Sequence, residues 1–288
     1  MLRKRQRYLI LFSLPALAFF IIFAVFPLMG TIYISFFKDS VFVGLANFKF
    51  LFTNEYSSTR LLGAFLHNCE FFAIAASVQI PLALFMAALL TSGRVQRLTG
   101  FYRTVLFVPS TLSVVIVGFI WRLIISPLWG IIQYPLLGEK ATALPTITLM
   151  SVWQYLGIPL VFLYSALLSI PSNIIEAARV DGASDMRIFF GIKLPLIAPQ
   201  IGIITVLTFI WTFNGFDIIY ALNGGQPGPD FSTDVLGTLF YRTFFGWDSD
   251  QGNQNLGAAT ATIIFFIILL GTAAYFAIVQ RRLKVSQL

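Results

Sequence analysis

Apolar positions in this chain come in long unbroken runs, and the runs set the first expectation. Six of them approach the ~20 residues a helix needs to cross the hydrocarbon core of a bilayer, at 9–36, 71–90, 105–125, 146–168, 197–222 and 258–279. They are too long and too continuous for barrel strands. Lipid offers no partner to backbone polar groups, so each run predicts a membrane-spanning helix. Pro81, Pro109 and Pro159 fall inside runs, where a missing N–H predicts kinks. The polar stretches between runs, 38–70, 126–145 and 223–257, read as loops on one side of the membrane. No soluble domain, internal repeat or low-complexity tail interrupts the pattern, and 1–288 reads as one transmembrane domain.

One polar stretch is different. Between the fourth and fifth runs stands SNIIEAARVDGASDMRIFFGIKLPLIAP. Pro171 should end the preceding helix. Asn173 can cap a short new helix, with Glu176 three residues on completing a capping-box pattern. Ala177 and Ala178 follow, Gly182 permits a turn, and Ser184 or Asp185 can cap a second short helix over 186–193, which Leu194–Pro195 closes. Small residues beside a glycine turn let another backbone approach, while Glu176, Arg179, Asp181, Asp185 and Arg187 offer charges of both signs. On these features alone the stretch is either a partner-docking element or a structured internal loop.

Composition narrows the class. Of 288 residues, 58% are hydrophobic and 11% charged, against roughly 25% charged in a soluble domain. The net charge of +7 forms no basic face with interleaved aromatics, which argues against nucleic acid. It sorts instead by side. Arg3, Lys4, Arg5, Arg7, Arg94, Arg97, Arg103, Arg179, Arg187, Lys193, Arg281, Arg282 and Lys284 fall on one side, thirteen in all, against six on the other: Lys38, Lys49, Arg60, Arg122, Lys140 and Arg242. The positive-inside rule then puts both termini and the 171–195 stretch in the cytoplasm of a multi-pass cell-membrane protein. The basic, apolar N-terminus resembles a signal peptide, but its run exceeds the ~7–15 residues of a signal core and no small-residue cleavage site closes it, so a retained span is expected.

Catalytic and metal chemistry find little material. Cys69 and His67 are the only cysteine and histidine, so neither a disulfide nor a metal cluster can be assembled from the sequence, and both are expected to pack near a span end. The outer loop with Asp230, Asp234, Asp248 and Asp250 lacks the ligand alternation of a calcium loop and reads as solvated. No Gly-x4-Gly-Lys-Ser/Thr phosphate loop occurs. Candidate polar and aromatic binding groups do lie within runs: Ser110 after Pro109; Trp153, Gln154 and Tyr155 before a Gly157-x-Pro159 break; and Thr208, Trp211, Thr212, Asn214, Asp217 and Tyr220 in the fifth run. Hydroxyl-bearing solutes suit such hydrogen bonders and flat rings, although Trp and Tyr also decorate membrane interfaces. Asp217, the only acid inside a run, faces either a cavity or the outer interface.

The spacing Glu176-Ala177-Ala178, Gly182, Ile192-Lys193-Leu194-Pro195 resembles the cytoplasmic signature of permease subunits in binding-protein-dependent ABC importers. The flanks RVDGAS and KLPLIAP, with PALAFFIIFAVFPL, VLFVPS and LGAATATIIFF elsewhere, are similar to the carbohydrate-uptake branch, near the maltose and glycerol-phosphate permeases. The resemblance implies an all-α membrane protein of the type I importer permease fold, six transmembrane helices with a coupling helix between the fourth and fifth. It implies contact with an ATPase through Glu176, Ala177, Ala178, Asp181, Gly182, Ala183, Ile192, Leu194 and Pro195. The implied partners are a homologous second permease, two ATPase subunits, an extracytoplasmic solute-binding protein and a carbohydrate, in a lipid bilayer and without nucleic acid. No cofactor is expected on this chain, ATP and Mg residing on the ATPase, and the chain itself is expected to be no enzyme. A substrate site carries over to Ser110, Trp153, Gly157, Leu160, Thr208, Trp211 and Thr212, where Leu160 and Thr212 depart from the aromatic and amide of maltose-type permeases. NGGQPGPDFST also departs from the Gly-Gly-Pro-Thr common after the fifth span. The rival class is a self-sufficient secondary transporter or channel for a small polar solute, which would need ionisable relays inside the runs.

Overall fold

A computed structural model describes residues 12–92, 98–128, 130–132, 134–248 and 250–285. Arg3, Lys4, Arg5, Arg7, Arg94 and Arg97 lie outside them, as do the side chains of Arg281, Arg282 and Lys284. Thirteen helices dominate the described chain. They are α1 Phe12–Ile34, with a π segment at Ile21–Val25; α2 Ala46–Thr53; α3 Glu55–Thr91; α4 Thr99–Phe107, running into a 3-10 turn at Val108–Thr111; α5 Val114–Ile124; α6 Lys140–Tyr155; and α7 Gly157–Leu168. There follow α8 Ser172–Val180, α9 Asp185–Leu196, α10 Ala198–Phe213, α11 Asp217–Asn223, α12 Leu236–Phe245 and α13 Gln254–Val285. Two small antiparallel hairpins complete it: β1 Phe37–Lys38 with β2 Val41–Phe42, and β3 Gly246–Trp247 with β4 Asp250–Gln251.

Three helices are long and apolar enough to cross a membrane unbroken, and three bent pairs bring the count to six. The bends have chemical causes. Between α6 and α7 the axis turns 49°, because Pro159 has no N–H for the carbonyl of Tyr155. Between α9 and α10 it turns 63° at Ile197, just before Pro199. The 96° bend between the 3-10 turn and α5 falls at Leu112–Ser113, not at Pro109, which sits in the first turn of the 3-10 element where its missing N–H is harmless. Pro81 lies inside α3 without breaking it. The stretches between runs are also more structured than their polarity suggests: 38–70 contains a hairpin, α2 and the first turns of α3, and 223–257 contains α12.

The chain forms two compact units. The first comprises 1–62 and 239–267. Asn47, buried at 5% exposure, donates from Nδ2 to the carbonyls of Ser35 (2.8 Å) and Phe37 (2.7 Å), pinning α2 to the end of α1 and to β1. None of α1's residues is buried, and Phe12, Phe19, Phe23 and Phe26 stand outward.

The second unit comprises 63–238 and 268–288. One core cluster joins α3, α7 and α10 through Ala83, Ala87, Leu160, Leu163 and Ile204. Another joins α3, α5, α6 and α11 through Phe71, Val117, Ile147 and Ile219. Small residues allow close helix crossing. A Cβ on Gly118 would stand 2.9 Å from Cβ of Ala221, and one on Gly157 would stand 2.6 Å from Cα of Phe107.

Candidate functional site

The 171–195 stretch folds as two short helices joined at Gly182. Pro171 occupies the N-cap position of α8, and no side chain caps that helix. Asn173 and Glu176 therefore do not form the expected capping box; Asn173 Oδ1 accepts only from the neighbouring N–H of Ile174 at 3.0 Å. The far end is fully satisfied. Gly182 has φ +76, its N–H donates to the Arg179 carbonyl at 3.0 Å, and the Ala183 N–H donates to the Ala178 carbonyl at 2.9 Å. That is the Schellman pattern, which needs a left-handed residue in the Gly182 position. Ser184 then caps α9, its Oγ accepting from the Arg187 N–H at 3.3 Å, and Arg179 reaches Asp185 across the turn at 3.6 Å.

The segment presents most of its side chains, Ile188 of α9 being the one that is buried. No residue of α8 is buried. Glu176, Ala177, Asp181, Gly182 and Pro195 are exposed, while Ala178, Ala183, Ile192 and Leu194 are half-buried. Val180 and Met186 stand out at 88% and 68% exposure. A rigid, capped helix pair with apolar side chains outward is a surface built to be covered.

Within the second unit, a cavity of about 200 Å³ opens between α3, α7 and α10. Thr208 and Trp211 line it, joined by Tyr155, Gln79, Pro159, Phe162 and Leu207. The rings of Tyr155 and Trp211 meet edge to face at 5.1 Å, and Phe71 supports Trp211 from behind at 5.4 Å. Helical spacing explains why Trp153, Gln154 and Tyr155 do not act together, since consecutive residues point about 100° apart. Tyr155 lines the cavity. Gln154 is wholly buried and donates from Nε2 to the Leu112 carbonyl at 3.2 Å, serving the break before α5. Trp153 is exposed on the other face and packs edge-on against Trp121.

The remaining positions lie away from this cavity. Ser110 Oγ donates to the Phe107 carbonyl at 2.7 Å inside its own turn. Gly157 is the close crossing of α7 over α4, and Leu160 is wholly buried in the core. Thr212 is wholly buried and bonds the Thr208 carbonyl at 2.9 Å. Asn214 is exposed and folds back on the Ile210 carbonyl. Asp217 opens α11, exposed at the helix N-terminus where its charge is favoured. Gln79 carried no periodic signal, being one carboxamide in an apolar run; its place two residues before Pro81 was the available cue.

The connection between α11 and α12 is tied down rather than merely solvated. Asp234 is buried at 2% exposure and accepts from Thr238 Oγ1 at 2.7 Å. Nδ1 of His67 lies 2.7 Å from the Asp234 carbonyl. Asn68, with no exposed surface, donates to the Thr212 carbonyl at 2.7 Å and accepts from the Leu236 N–H at 2.8 Å.

The profile of the family described as the binding-protein-dependent transport system inner membrane component matches residues 79–285. The sn-glycerol-3-phosphate transport system permease protein of Yersinia pseudotuberculosis is 31% identical over 290 residues, covering 95% of each chain. An osmoprotective compounds uptake permease protein of Synechocystis is 27% identical over 275 residues, covering 89% of this chain and 92% of its own. Among solved structures, a bacterial alginate ABC transporter, in complex with its alginate pentasaccharide-bound periplasmic protein, superposes with a TM-score of 0.84 at 22% identity. The match covers 98% of this chain and 96% of that one. It shares the fold.

Proposed function

This chain belongs to the binding-protein-dependent transport system inner membrane components, and from that membership we propose that it is one of two permease subunits of an ATP-driven importer that brings a carbohydrate into the cytoplasm. The observation that carries the reading is the α8–Gly182–α9 element: two short helices locked by a Schellman turn, with α8 wholly unburied while α9 is anchored by the buried Ile188. Such an element suits a groove on a separate ATPase, which would bind ATP and Mg while this chain hydrolyses nothing. The partners are a homologous permease, two ATPase subunits and an extracytoplasmic binding protein. The relatives named for glycerol phosphate and alginate favour a polyhydroxylated solute, and the Trp211–Tyr155 pair beside Thr208 supplies the ring faces and hydroxyl that such a solute requires. Both termini and α8 lie on the cytoplasmic side.

The test is reconstitution of this chain with its sister permease and binding protein, with and without the ATPase. Accumulation of solute against its gradient is expected only with the ATPase and ATP. Accumulation by the permease pair alone, driven by an ion gradient, would favour a secondary transporter instead.

A further inference from the structure

We propose that Gln79 is a specificity-determining residue of this permease, its carboxamide hydrogen-bonding an uncharged, hydroxyl-bearing ligand in the cavity of α3, α7 and α10. The proposal rests on the importer reading and deepens it. Gln79 is 97% buried, being 3% exposed, and it lines the cavity. Among the described residues its amide has no hydrogen-bond partner, although the other walls are almost wholly apolar. Buried amides are nearly always paired, and one left without a partner destabilises the fold it sits in. The buried amide Gln154 differs in having a structural bond, its Nε2 donating to the Leu112 carbonyl at the break before α5 although its Oε1 has no partner. Gln79 serves no such structural need.

The chemistry of the walls says what would satisfy it. A carboxamide offers donors and an acceptor together, the complement of adjacent sugar hydroxyls. Tyr155 and Trp211 give ring faces for the C–H surface of the same ring, and Thr208 adds a hydroxyl. None of the nine lining residues is charged. An anion carried into this space would lose its hydration with no cation to replace it, which is strongly unfavourable. At about 200 Å³ the cavity is below the ~300–1,000 Å³ of ordinary small-molecule sites, and with no cation in its walls it suits a single uncharged ring better than an anion. That sets it apart in substrate charge from relatives named for glycerol phosphate and alginate.

The experiment uses the full transporter in proteoliposomes with its binding protein, offered an equimolar mixture of maltotriose, cellotriose, raffinose, sn-glycerol 3-phosphate and alginate trisaccharide. Solutes accumulated inside are quantified by mass spectrometry for wild type, Gln79→Leu and Gln79→Asn. Neutral solutes should accumulate and the anionic ones should not. Gln79→Leu should lower neutral-solute uptake at saturating binding protein by roughly 3- to 10-fold, the loss expected for one hydrogen bond. Half-saturation by the binding protein should stay unchanged, and Gln79→Asn should recover part of the rate. The melting temperature of Gln79→Leu should hold or rise, because an unpaired buried amide has been replaced by an apolar group of similar size; a merely structural glutamine would give a fall. Wild-type uptake by Gln79→Leu, or accumulation of the anionic solutes, overturns the assignment while leaving the importer reading intact. Accumulation that proceeds without ATP and follows an ion gradient overturns the importer reading, and the assignment falls with it.

Discussion

Gly182 shows how far a single residue can be read. The expectation of a turn at this position follows from glycine between two capped helices, and the backbone has φ +76 there. No atom lies within 4 Å of where its Cβ would stand, so the demand is conformational and owes nothing to crowding. A β-branched side chain should cost about 1–2 kcal/mol in the left-handed region, whereas asparagine tolerates it. Gly182→Val is therefore expected to reach normal membrane levels but lose its ATPase on purification, and Gly182→Asn to keep most of it. Co-purified ATPase at matched expression is the measure, and equal retention by the two variants would remove the turn from the coupling contact. Asn173 marks the opposite case. Its capping signal is real in sequence, but Pro171 with its fixed φ takes the N-cap place two residues earlier.

At the scale of elements, the six apolar runs predict the spans because burial in lipid is read from composition alone. What they cannot predict is where a span breaks. At the 96° turn at Leu112–Ser113 the freed Leu112 carbonyl is met by Gln154, forty-two residues away. Likewise α12, a short amphipathic stretch, and the polar first turns of α3 are too short or too polar to read as spans, and such helices owe their stability to tertiary packing. The candidate cavity divides the same way: Thr208 and Trp211, one turn apart on α10, share it, while Leu160 is turned into the core by its neighbours on α7. Asn68 is the clearest element-level contact that sequence did not reveal, since its two bonds join α3 to the end of α10 and the start of α12. Asn68→Leu would leave the buried Leu236 N–H unsatisfied, at roughly 1–3 kcal/mol, and would remove one bond from the Thr212 carbonyl, which keeps the Gly215 N–H at 3.2 Å. Its melting temperature should fall by several degrees, whereas Asn214→Ala, at an exposed position, should change it little. Similar melting of the two variants would show that the connection between α11 and α12 is held by something other than Asn68.

For the whole molecule, surface and charge have to agree on one orientation in the membrane. The described chain leaves large apolar side chains exposed along α1, α5 and α13, a surface that lipid or a second permease would cover. The polar ends carry the direction. The positive-inside count predicts that Arg103, Arg179, Arg187 and Lys193 share the cytoplasmic side with α8, and that Asp248 with β3 and β4 faces the other. Two exposed positions separate the alternatives: Met186 at the start of α9 and Asp248 in the β3–β4 hairpin. Met186→Cys and Asp248→Cys, each in a Cys69→Ser background, should behave oppositely toward an impermeant maleimide added to intact cells. Asp248→Cys should label at once, and Met186→Cys only after permeabilisation, in cells lacking the ATPase so that nothing masks the site. The reverse pattern would place α8 outside the cell, out of reach of any cytoplasmic motor, and with it the coupling role of Gly182 would be lost. Labelling of both from outside would mean that an even number of crossings separates the two sites, whereas six spans in series put a single one, α10, between them.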